Sequence, residues 1–388
     1  MERGYVFILL IFLLSSCGIN KSLKDRPVLD TFNSNISEIT LQTDTFSLLD
    51  DNQLRRNKYG LYELYVAGDP LERGLITGAL TQPLIQKQER IFFSKITGFV
   101  PSEFKQKLLR FFLKLYNRKV YKNIPNEYKA EIYGISQYAS NEFDYIGESY
   151  QRSLYLHGAH DIGHALQDLA LVGCSSFAAW DDKTEDGSMI VGRNFDFYVG
   201  DDFAEDKIIA FVDPEVGHKF MSITWGGMIG LVSGMNDQGL TVTINAGKSS
   251  IPWSAKTPIA ILTREILQYA STIEEAIIVA KRRDVFVSES IFVASANDRR
   301  AVTIEVSPKK FDVYDVPNSN QLICSNHFQS QAYADDKKNK KHIIESHSQY
   351  RYERMQELLE SEIQLNPKIA VNILRNKEGL ENKKIGYG

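Results

Sequence analysis

The chain has 388 residues, of which 43% are hydrophobic and 24% charged. This balance excludes disordered, collagen-like and coiled-coil proteins and allows one or two packed domains. With 45 Lys and Arg against 49 Asp and Glu, the net charge is −4. A weakly acidic chain lacks the basic face that binds a nucleic-acid backbone, so we predict no nucleic-acid partner. Three cysteines are an odd number, which argues against a disulfide framework.

The N-terminal residues predict a secretion signal followed by a lipid attachment site. Residues 5–14 form an unbroken apolar run behind Arg3. The run is too short to span a bilayer, but it has the length of a signal-peptide core. The small residues before Cys17 then resemble the bacterial lipobox, in which the cysteine is acylated and becomes the new N-terminus. An ordinary signal peptide cleaved near Ser16, or an uncleaved anchor, is the open alternative.

Lipidation at Cys17 implies a protein held on a membrane of the cell envelope. Two or three acyl chains anchor a protein stably, whereas one chain does not. Gly18 gives no sign of retention in an inner membrane, so we expect the outer membrane, with the protein facing the periplasm or the surface. We divide this part of the chain into a signal peptide, residues 1–17, and a polar tether with a lead-in, residues 18–60.

The next part of the chain, residues 61–173, is predicted to be mostly helical. It opens with an alternating strand at residues 61–67. Asp69, Pro70 and Glu72 then stand in the order of a helix cap, a first helical residue and a capping-box partner. Further helical patterns cover residues 85–96, 102–115 and 127–140.

After Gly173 the pattern changes to short strands rich in β-branched and aromatic residues. Many strands with few helices predict stacked sheets with helical layers. The predicted strands are residues 174–180, 189–197, 208–212, 220–225, 240–245, 291–295, 301–306 and 321–325, and the predicted helices are 258–269, 273–282 and 349–363. The basic run at residues 337–341 is predicted to be a solvated loop.

Two other constellations are weaker. His160 and His164 are four residues apart, a spacing of metal ligands on a helix, with His157 nearby. The catalytic glutamate of a zincin motif is missing and no third ligand is evident, so hydrogen-bonding histidines are favoured over a zinc site. We predict neither a metal nor a cofactor. Ser233 lies one place away from the nucleophile-elbow spacing, and we do not assign it chemistry.

The strongest chemical signal is Cys174 together with the stretch that follows it. A hairpin centred near Glu185 would fold Asp196 back opposite Cys174, with Arg193 three residues away on the same strand. A guanidinium near a thiol stabilises the thiolate, which is the nucleophilic form. The carboxylate could orient an ammonium group, and cleavage after Gly173 would create one.

Such an α-amino group has a pKa near 7.7–8 and can act as the base for its own cysteine. In the alternative, Cys174 is a small core residue and Arg193 and Asp196 form a structural ion pair. The residues alone leave both interpretations open.

These residues resemble the N-terminal-nucleophile hydrolases of the acyl-coenzyme A:isopenicillin N acyltransferase type, which are similar to bile salt hydrolases and acid ceramidases. The resemblance rests on five motifs in order. They are Gly68-Asp69-Pro70, Gly173-Cys174 with Gly192-Arg193-Asn194-Phe195-Asp196, the stretch from Gly234 to Asn245, Cys324-Ser325-Asn326-His327, and Ser348-Gln349-Tyr350-Arg351.

The resemblance implies an α+β fold, a four-layer α/β/β/α sandwich with an N-terminal, mostly helical portion derived from a propeptide. It implies self-cleavage between Gly173 and Cys174, after which the two chains stay associated. Residues 61–173 would form the α-chain portion and residues 174–388 the catalytic chain. Members usually continue into further strands after Arg351. We therefore expect either a trimmed sheet here or a C-terminally incomplete sequence.

The implied reaction is hydrolysis of a linear carbon–nitrogen amide in a small N-acyl substrate. Cys174 would attack and form a thioester, and Arg193 and Asp196 would hold its thiol and amine. Asn245 and Asn326 would stabilise the oxyanion, and Arg351 would complete the site. Two alternatives remain open. One is acyl transfer to an amine, and the other is an inactive surface lipoprotein with a binding or scaffold role.

Overall fold

The computed structural model describes residues 18–158, 161, 173–197, 200–250 and 254–385. The strands are β1 Leu41–Gln42, β2 Phe46–Leu49, β3 Asn52–Arg56, β4 Tyr62–Gly68, β5 Ser175–Ala179, β6 Ile190–Asn194, β7 Ile208–Pro214, β8 Phe220–Thr224, β9 Ser233–Asn236, β10 Leu240–Ala246, β11 Glu289–Ser295, β12 Arg300–Val306, β13 Phe311–Asp315 and β14 Gln321–Cys324. The helices are α1 Pro70–Phe99, α2 Glu103–Asn117, α3 Val120–Asn123, α4 Asn126–Ser136, α5 Ser149–Leu156, α6 Asp201–Ala204, α7 Ile259–Tyr269, α8 Ile273–Lys281, α9 Lys337–Glu345, α10 Ser348–Glu360 and α11 Pro367–Leu374.

The strands form a large sheet and a small sheet. Within the described residues, the large sheet has 11 strands in the order β1-β2-β3-β4-β7-β8-β9-β10-β11-β12-β13, and the small sheet has three in the order β14-β5-β6. The large sheet is antiparallel except where β4 runs parallel to β7. The β4–β7 pairing joins strands β1 to β4, which precede Gly173 in the sequence, to strands that follow it, so both parts of the chain share one sheet.

Alternation along β10 shows how the two sheets are stacked. Val242 and Ile244 belong to the main hydrophobic core, which also contains buried side chains of helices α7 and α8. Thr243 and Asn245 point to the opposite face, where both side chains are within hydrogen-bond distance of Ser176 in the small sheet. Because successive strand residues face opposite sides, β10 contacts a helical layer on one face and the small sheet on the other.

The outer face of the small sheet is covered by the last two helices. Phe177 and Ile323 pack there with Met355 and Leu359 of α10 and Ile373 of α11. The layers are therefore helices, large sheet, small sheet and helices. The predicted α+β fold with four α/β/β/α layers is confirmed.

Helix α1 begins as its sequence predicts. The Asp69 side chain accepts a hydrogen bond from the backbone N–H of Glu72, and the Glu72 side chain accepts one from the N–H of Asp69. This reciprocal pair is a capping box, and Pro70 occupies the first turn. The helix continues for 30 residues and includes Pro83, although a proline inside a helix removes one backbone hydrogen bond.

Residues 18–60 differ from the predicted tether. Residues 18–24 are helical, and the backbone of Val28 exchanges hydrogen bonds with the Asn126 side chain. Three further strands, β1 to β3, extend the large sheet. These strands have two, four and five residues, which is too short for an alternating pattern to be visible in the sequence.

The basic run at residues 337–341 is also not a loop, because it forms the first half of helix α9. The Asp336 side chain caps this helix by accepting from the backbone N–H groups of Lys338 and Asn339. Within the described ranges, no helix is long and apolar enough to cross a bilayer. Cys17, His160 and His164 lie outside the described residues.

Candidate active site

The hairpin that carries Cys174 forms, with a register one residue away from the prediction. Ser175 pairs with Asn194 and Ser176 with Arg193 across strands β5 and β6. Continuing this register places Asp196 opposite Gly173 and not opposite Cys174, and the Gly173 N–H donates to the Asp196 carbonyl at 3.1 Å. The hairpin is therefore centred between Thr184 and Glu185 and not on Glu185 itself. Asp196 therefore lies at the bond that is predicted to be cleaved.

The Cys174 side chain is buried, with 1% of its surface exposed. Burial raises the pKa of its thiol because the thiolate loses hydration. The Arg193 charge and the Asp196 backbone N–H oppose this effect. We expected the Arg193 guanidinium to favour the thiolate, and its charge lowers the pKa of Cys174 as expected. The cation acts in the expected direction, but desolvation is the larger effect.

Arg193 is fixed in place between the two sheets. Its guanidinium donates to the Ser233 hydroxyl and to the Ile244 carbonyl, and its Nη2 lies 4.0 Å from Sγ of Cys174. The same group stacks over the Phe195 ring at 4.4 Å. Held on three sides, the guanidinium presents its charge to the thiol in one orientation.

The Asp196 carboxylate also lies close to this bond. A Cβ added to Gly173 would be 3.2 Å from Oδ2 of Asp196. Burial raises the pKa of Asp196, and the charges of Arg351 and Arg193 counteract this rise. The carboxylate thus lies among two guanidinium groups and the peptide that precedes Cys174.

Arg351 reaches the same place from helix α10. It donates to the Cys174 carbonyl, to Ser175 Oγ at 2.9 Å and to Asn326 Oδ1 at 2.6 Å. Since Ser175 faces the helical side of the small sheet and Cys174 the other side, Arg351 spans the edge of this sheet. One side chain therefore links Cys174, the predicted nucleophile, to Asn326, a predicted oxyanion residue.

Both predicted oxyanion asparagines are buried and hydrogen-bonded. Asn326 Nδ2 donates to the Ala246 carbonyl at 2.9 Å, and Asn245 Nδ2 donates to the Cys324 carbonyl at 3.1 Å. Asn245 Oδ1 accepts from Ser176, which ties the two sheets together. An amide nitrogen carries two hydrogens, and these bonds use one on each side chain.

The backbone of Asn326 is held separately. Its N–H donates to Ser348 Oγ at 2.8 Å, and that hydroxyl lies 2.8 Å from Nδ1 of His327. Burial lowers the pKa of His327 to about 4, so this ring is neutral at pH 7. Asn326 is thus fixed through its side chain by Arg351 and through its backbone by Ser348.

A cleft leads from Arg193 across the uncovered part of the large sheet. Strands β7 to β9 extend past the small sheet, so one of their faces is not packed against it. The cleft has a volume of about 420 Å³. Its lining is mainly apolar and includes Met189, Val191, Phe195, Met221, Ile223 and Trp225. Lys207 lies at the wall, with its ammonium 4.1 Å from the Phe203 ring and 5.2 Å from the Trp225 ring.

Three contributors were missed by the sequence reasoning. Ser175 and Ser233 hold the two arginines, and Glu289 is buried near Cys174 and Arg193. Burial raises the pKa of Glu289 well above its usual value, and the Arg193 charge opposes this rise. Ser175 could have been found because it adjoins Cys174. Glu289 carries no local signal, and the near-elbow spacing of Ser233 does not predict its contact with Arg193, because the packing of distant strands places both residues here.

His157 belongs to the histidine group weighed as a metal site, and its position in the fold is explained by hydrogen bonding. His157 Nδ1 lies 2.7 Å from the Ser153 carbonyl, and Nε2 accepts from the Ile229 N–H at 3.0 Å. Both ring nitrogens are therefore used by backbone groups. Among the residues that the structure describes, no group of three metal-ligating side chains occurs.

The family model for acyl-coenzyme A:6-aminopenicillanic acid acyl-transferase matches residues 183–385, more than half of the chain. The chain belongs to this family, which confirms the predicted resemblance. The matched span begins after Cys174 and includes Arg193, Asp196, Asn245, Asn326 and Arg351.

Individual relatives are distant. An uncharacterized protein from Archaeoglobus fulgidus is 25% identical over 271 residues, which is 66% of this chain and 45% of that protein. The chain thus spans less than half the length of this curated relative.

Three solved structures are similar to parts of the chain. An N-acylethanolamine-hydrolyzing acid amidase ortholog from Caenorhabditis elegans is 20% identical, with a TM-score of 0.40, over 52% of this chain and 86% of that chain. A conjugated bile acid hydrolase from Clostridium perfringens is 13% identical, with a TM-score of 0.36, over 54% and 83%. A penicillin V acylase from Agrobacterium tumefaciens is 15% identical, with a TM-score of 0.30, over 56% and 66%.

Proposed function

We propose that this protein is a self-cleaving cysteine amidase that hydrolyses a linear carbon–nitrogen amide bond of an N-acyl substrate. The observation that supports this most is the environment of Cys174. One guanidinium faces its sulfur at 4.0 Å, and a second binds its carbonyl and Asn326. Two half-buried cations around one buried thiol are unusual for a purely structural core, because each loses part of its hydration. A reaction in which negative charge develops at the thiol or the oxyanion accounts for both cations.

Self-cleavage comes first in this proposal. The Cys174 thiol attacks the Gly173 carbonyl, and the peptide nitrogen leaves as the free amine of Cys174. Water then hydrolyses the thioester, which leaves a carboxylate on Gly173 and a free thiol. Asp196, which adjoins this peptide, holds the new ammonium group, whose pKa near 7.7–8 suits proton transfer at neutral pH.

The same groups then act on substrate. The thiol attacks the amide carbonyl, the amine product leaves with a proton from the α-amino group, and water releases the acid. Asn326 and Asn245 turn an N–H toward the oxyanion, and Arg193 and Arg351 hold the thiol and Asn326. The apolar cleft beside Arg193 takes the acyl group, since its walls are built mainly from Met, Val, Ile and aromatic side chains.

The mass of the purified protein tests the first step. For the wild-type protein we expect two fragments, produced by cleavage of the peptide bond between Gly173 and Cys174. For Cys174→Ala we expect a single intact chain. A panel of N-acyl amides tests the second step. Asn326→Ala should lower kcat by a factor of about 100 to 1,000, as the loss of one oxyanion donor does. An active wild-type protein that stays in one piece would refute self-cleavage.

Acyl transfer is a second candidate, because the family that matches is an acyltransferase family. A thioester at Cys174 is resolved by whichever nucleophile reaches it first. Products formed with and without an added amine distinguish the two reactions. Hydrolysis gives the free acid under both conditions, whereas transfer gives a new amide when the amine is present.

We further propose that Cys17 is lipidated and that the protein is held at the cell envelope. The support is the apolar run at residues 5–14 followed by small residues and a cysteine. Cys17→Ala should move the protein from the membrane fraction to the soluble fraction after a high-salt wash, which weakens any peripheral electrostatic contact, without affecting cleavage at Cys174. If this variant stayed with the membranes through an uncleaved anchor, the lipidation proposal would be wrong.

A further inference from the structure

Helix α2 has an exposed apolar stripe along one face. Phe104 is 75% exposed, Leu108 46%, Phe111 40% and Phe112 54%. Residues three and four positions apart lie on one face of a helix, so these four side chains form a continuous strip. Scattered exposed hydrophobic residues need no explanation, whereas a contiguous strip of this kind marks an interaction surface.

The residues that flank the strip are basic. Lys107, Arg110 and Lys114 follow one edge of the strip, and Lys105 lies on the other. The helix contains a single acidic residue, Glu103, in its first turn. Large apolar side chains between lysines and arginines are the pattern of a helix that lies in the interface of an anionic membrane.

An aromatic side chain extends the surface next to the helix. Tyr145 is 62% exposed, and the Arg110 guanidinium lies 5.6 Å from its ring centroid. Tyrosine is suited to the interface because its ring is apolar while its hydroxyl stays hydrated. The surface is thus wider than the helix alone.

The N-terminal end of the described chain, at Gly18, lies next to the C-terminal end of this same helix. A Cβ on Gly18 would lie 3.4 Å from Cδ of Arg118, the residue that follows α2. Gly18 is directly after Cys17, and the apolar run at residues 5–14 precedes it. Whatever holds residue 17 at a bilayer therefore also brings the end of α2 to that bilayer.

We propose that helix α2 is a second membrane contact, which lies flat in the interface of an anionic bilayer with Phe104, Leu108, Phe111 and Phe112 among the acyl chains. The partner is a lipid surface, recognised by apolar burial and by attraction of the basic residues to acidic headgroups. This contact orients the body of the protein on the membrane instead of leaving it on a free tether. It does not depend on the amidase activity.

An environment-sensitive fluorescent amino acid at position 112 of the full chain reports burial of the strip directly. Ile363 is 91% exposed and follows helix α10, so the same label at position 363 is the matched control. With vesicles that contain phosphatidylglycerol, we expect a blue shift and quenching by brominated lipids at position 112 and neither at 363. A water-like emission at position 112 in vesicle-bound protein would overturn the proposal.

Charge variants separate the electrostatic attraction to acidic headgroups from the burial of the apolar strip. Lys107→Gln with Lys114→Gln should weaken partition to anionic vesicles by about 30-fold, or roughly fivefold for each charge. Lys337→Gln with Lys341→Gln on helix α9 removes the same charge elsewhere and should have little effect. If both pairs weakened binding equally, net charge and not helix α2 would be responsible. A blue shift at position 112 without vesicles, together with a dimer in ultracentrifugation, would assign the strip to a second copy of the chain and overturn the proposal.

Discussion

The Cys174 thiol shows two opposing effects on one group. Burial raises its pKa above the ordinary value of 9.0, and the neighbouring Arg193 charge lowers it. A thiol with a raised pKa is mostly protonated at pH 7, and only the thiolate reacts with alkylating reagents. In the intact chain, Cys174 should therefore react slowly, and its rate should increase with pH.

Replacing Arg193 tests this balance. In Arg193→Met, the favourable charge is lost, so the thiolate becomes rarer and alkylation of Cys174 in the intact chain should be about tenfold slower at pH 8. Mass spectrometry separates intact from cleaved chains and gives the rate. Cys324 is the internal control, because burial raises the pKa of its thiol strongly and it should stay unmodified in both proteins. An unchanged rate would mean that Arg193 does not act on the thiol.

His157 should make the fold sensitive to acid. Burial lowers its pKa from 6.5 to about 4 in the folded chain. Between these values the unfolded chain binds more protons than the folded chain, so stability falls as the pH falls. Protonation of Nε2 would also break the bond from the Ile229 N–H.

His157→Gln removes this titration. The wild-type advantage in the free energy of unfolding should shrink by up to about 3 kcal/mol between pH 7 and pH 4, since one pKa unit is worth 1.36 kcal/mol. Urea unfolding of both proteins at several pH values measures the difference, and other titrating groups cancel. A difference that is constant with pH would contradict the assigned tautomer and burial.

At the scale of elements, two glycines allow helices α1 and α4 to pack backbone to backbone. A Cβ on Gly74 would be 2.2 Å from the Glu131 carbonyl oxygen, and one on Gly134 would be 2.6 Å from the Leu75 nitrogen. Backbone atoms cannot rotate out of the way as side-chain ends can. The close approach therefore requires glycine at both places.

Gly74→Ala should destabilise the protein by about 3 kcal/mol, because the added methyl forces the helices apart. Gly98 in the same helix is the matched control, since no described atom lies within 4 Å of a Cβ there. Gly98→Ala should stabilise by about 0.5–1 kcal/mol through helix propensity. Denaturant unfolding of the two variants gives both values. A loss of stability in both variants would mean that α1 does not tolerate alanine at either glycine, and it would contradict the role given to the backbone contact at Gly74.

At the scale of the whole molecule, the parts before and after Gly173 share one sheet and one core. Strand β4 pairs with β7 through seven residue pairs. The Glu131 carboxylate on α4 is buried between Arg73 of α1, at 2.7 Å, and Arg264 of α7, at 3.3 Å. The charges of these two arginines outweigh burial, so the pKa of Glu131 is lowered.

After cleavage, the two fragments should therefore elute as a single particle in native buffer and separate only in denaturant. Glu131→Gln leaves two buried cations without their carboxylate and should cost about 3–5 kcal/mol. Gel filtration of the cleaved protein checks the first statement, and urea unfolding of the Glu131→Gln variant against the wild type measures the second. Fragments that separate without denaturant would show that the shared sheet does not hold them.

Local sequence patterns were sufficient to predict the structure wherever it is determined by residues that are close together in the chain. The cap of α1 is set by Asp69, Pro70 and Glu72, and the long alternating strands such as β10 fall near their predicted limits. The family resemblance was likewise carried by short motifs, and the family model confirms it. Such features depend on residues within a few positions of each other, which the sequence displays directly.

Tertiary structure alone decided the features that depend on distant residues. Strands β1 to β3 are too short to show alternation, and they form because β4 supplies an edge to pair with. Ser233 meets Arg193 only because β9 and β6 belong to sheets that lie against each other. Burial of Cys174 is also a product of packing. The sequence therefore determined which chemical groups are present and the direction of the Arg193 effect, whereas packing determined that desolvation of the thiol is the larger effect.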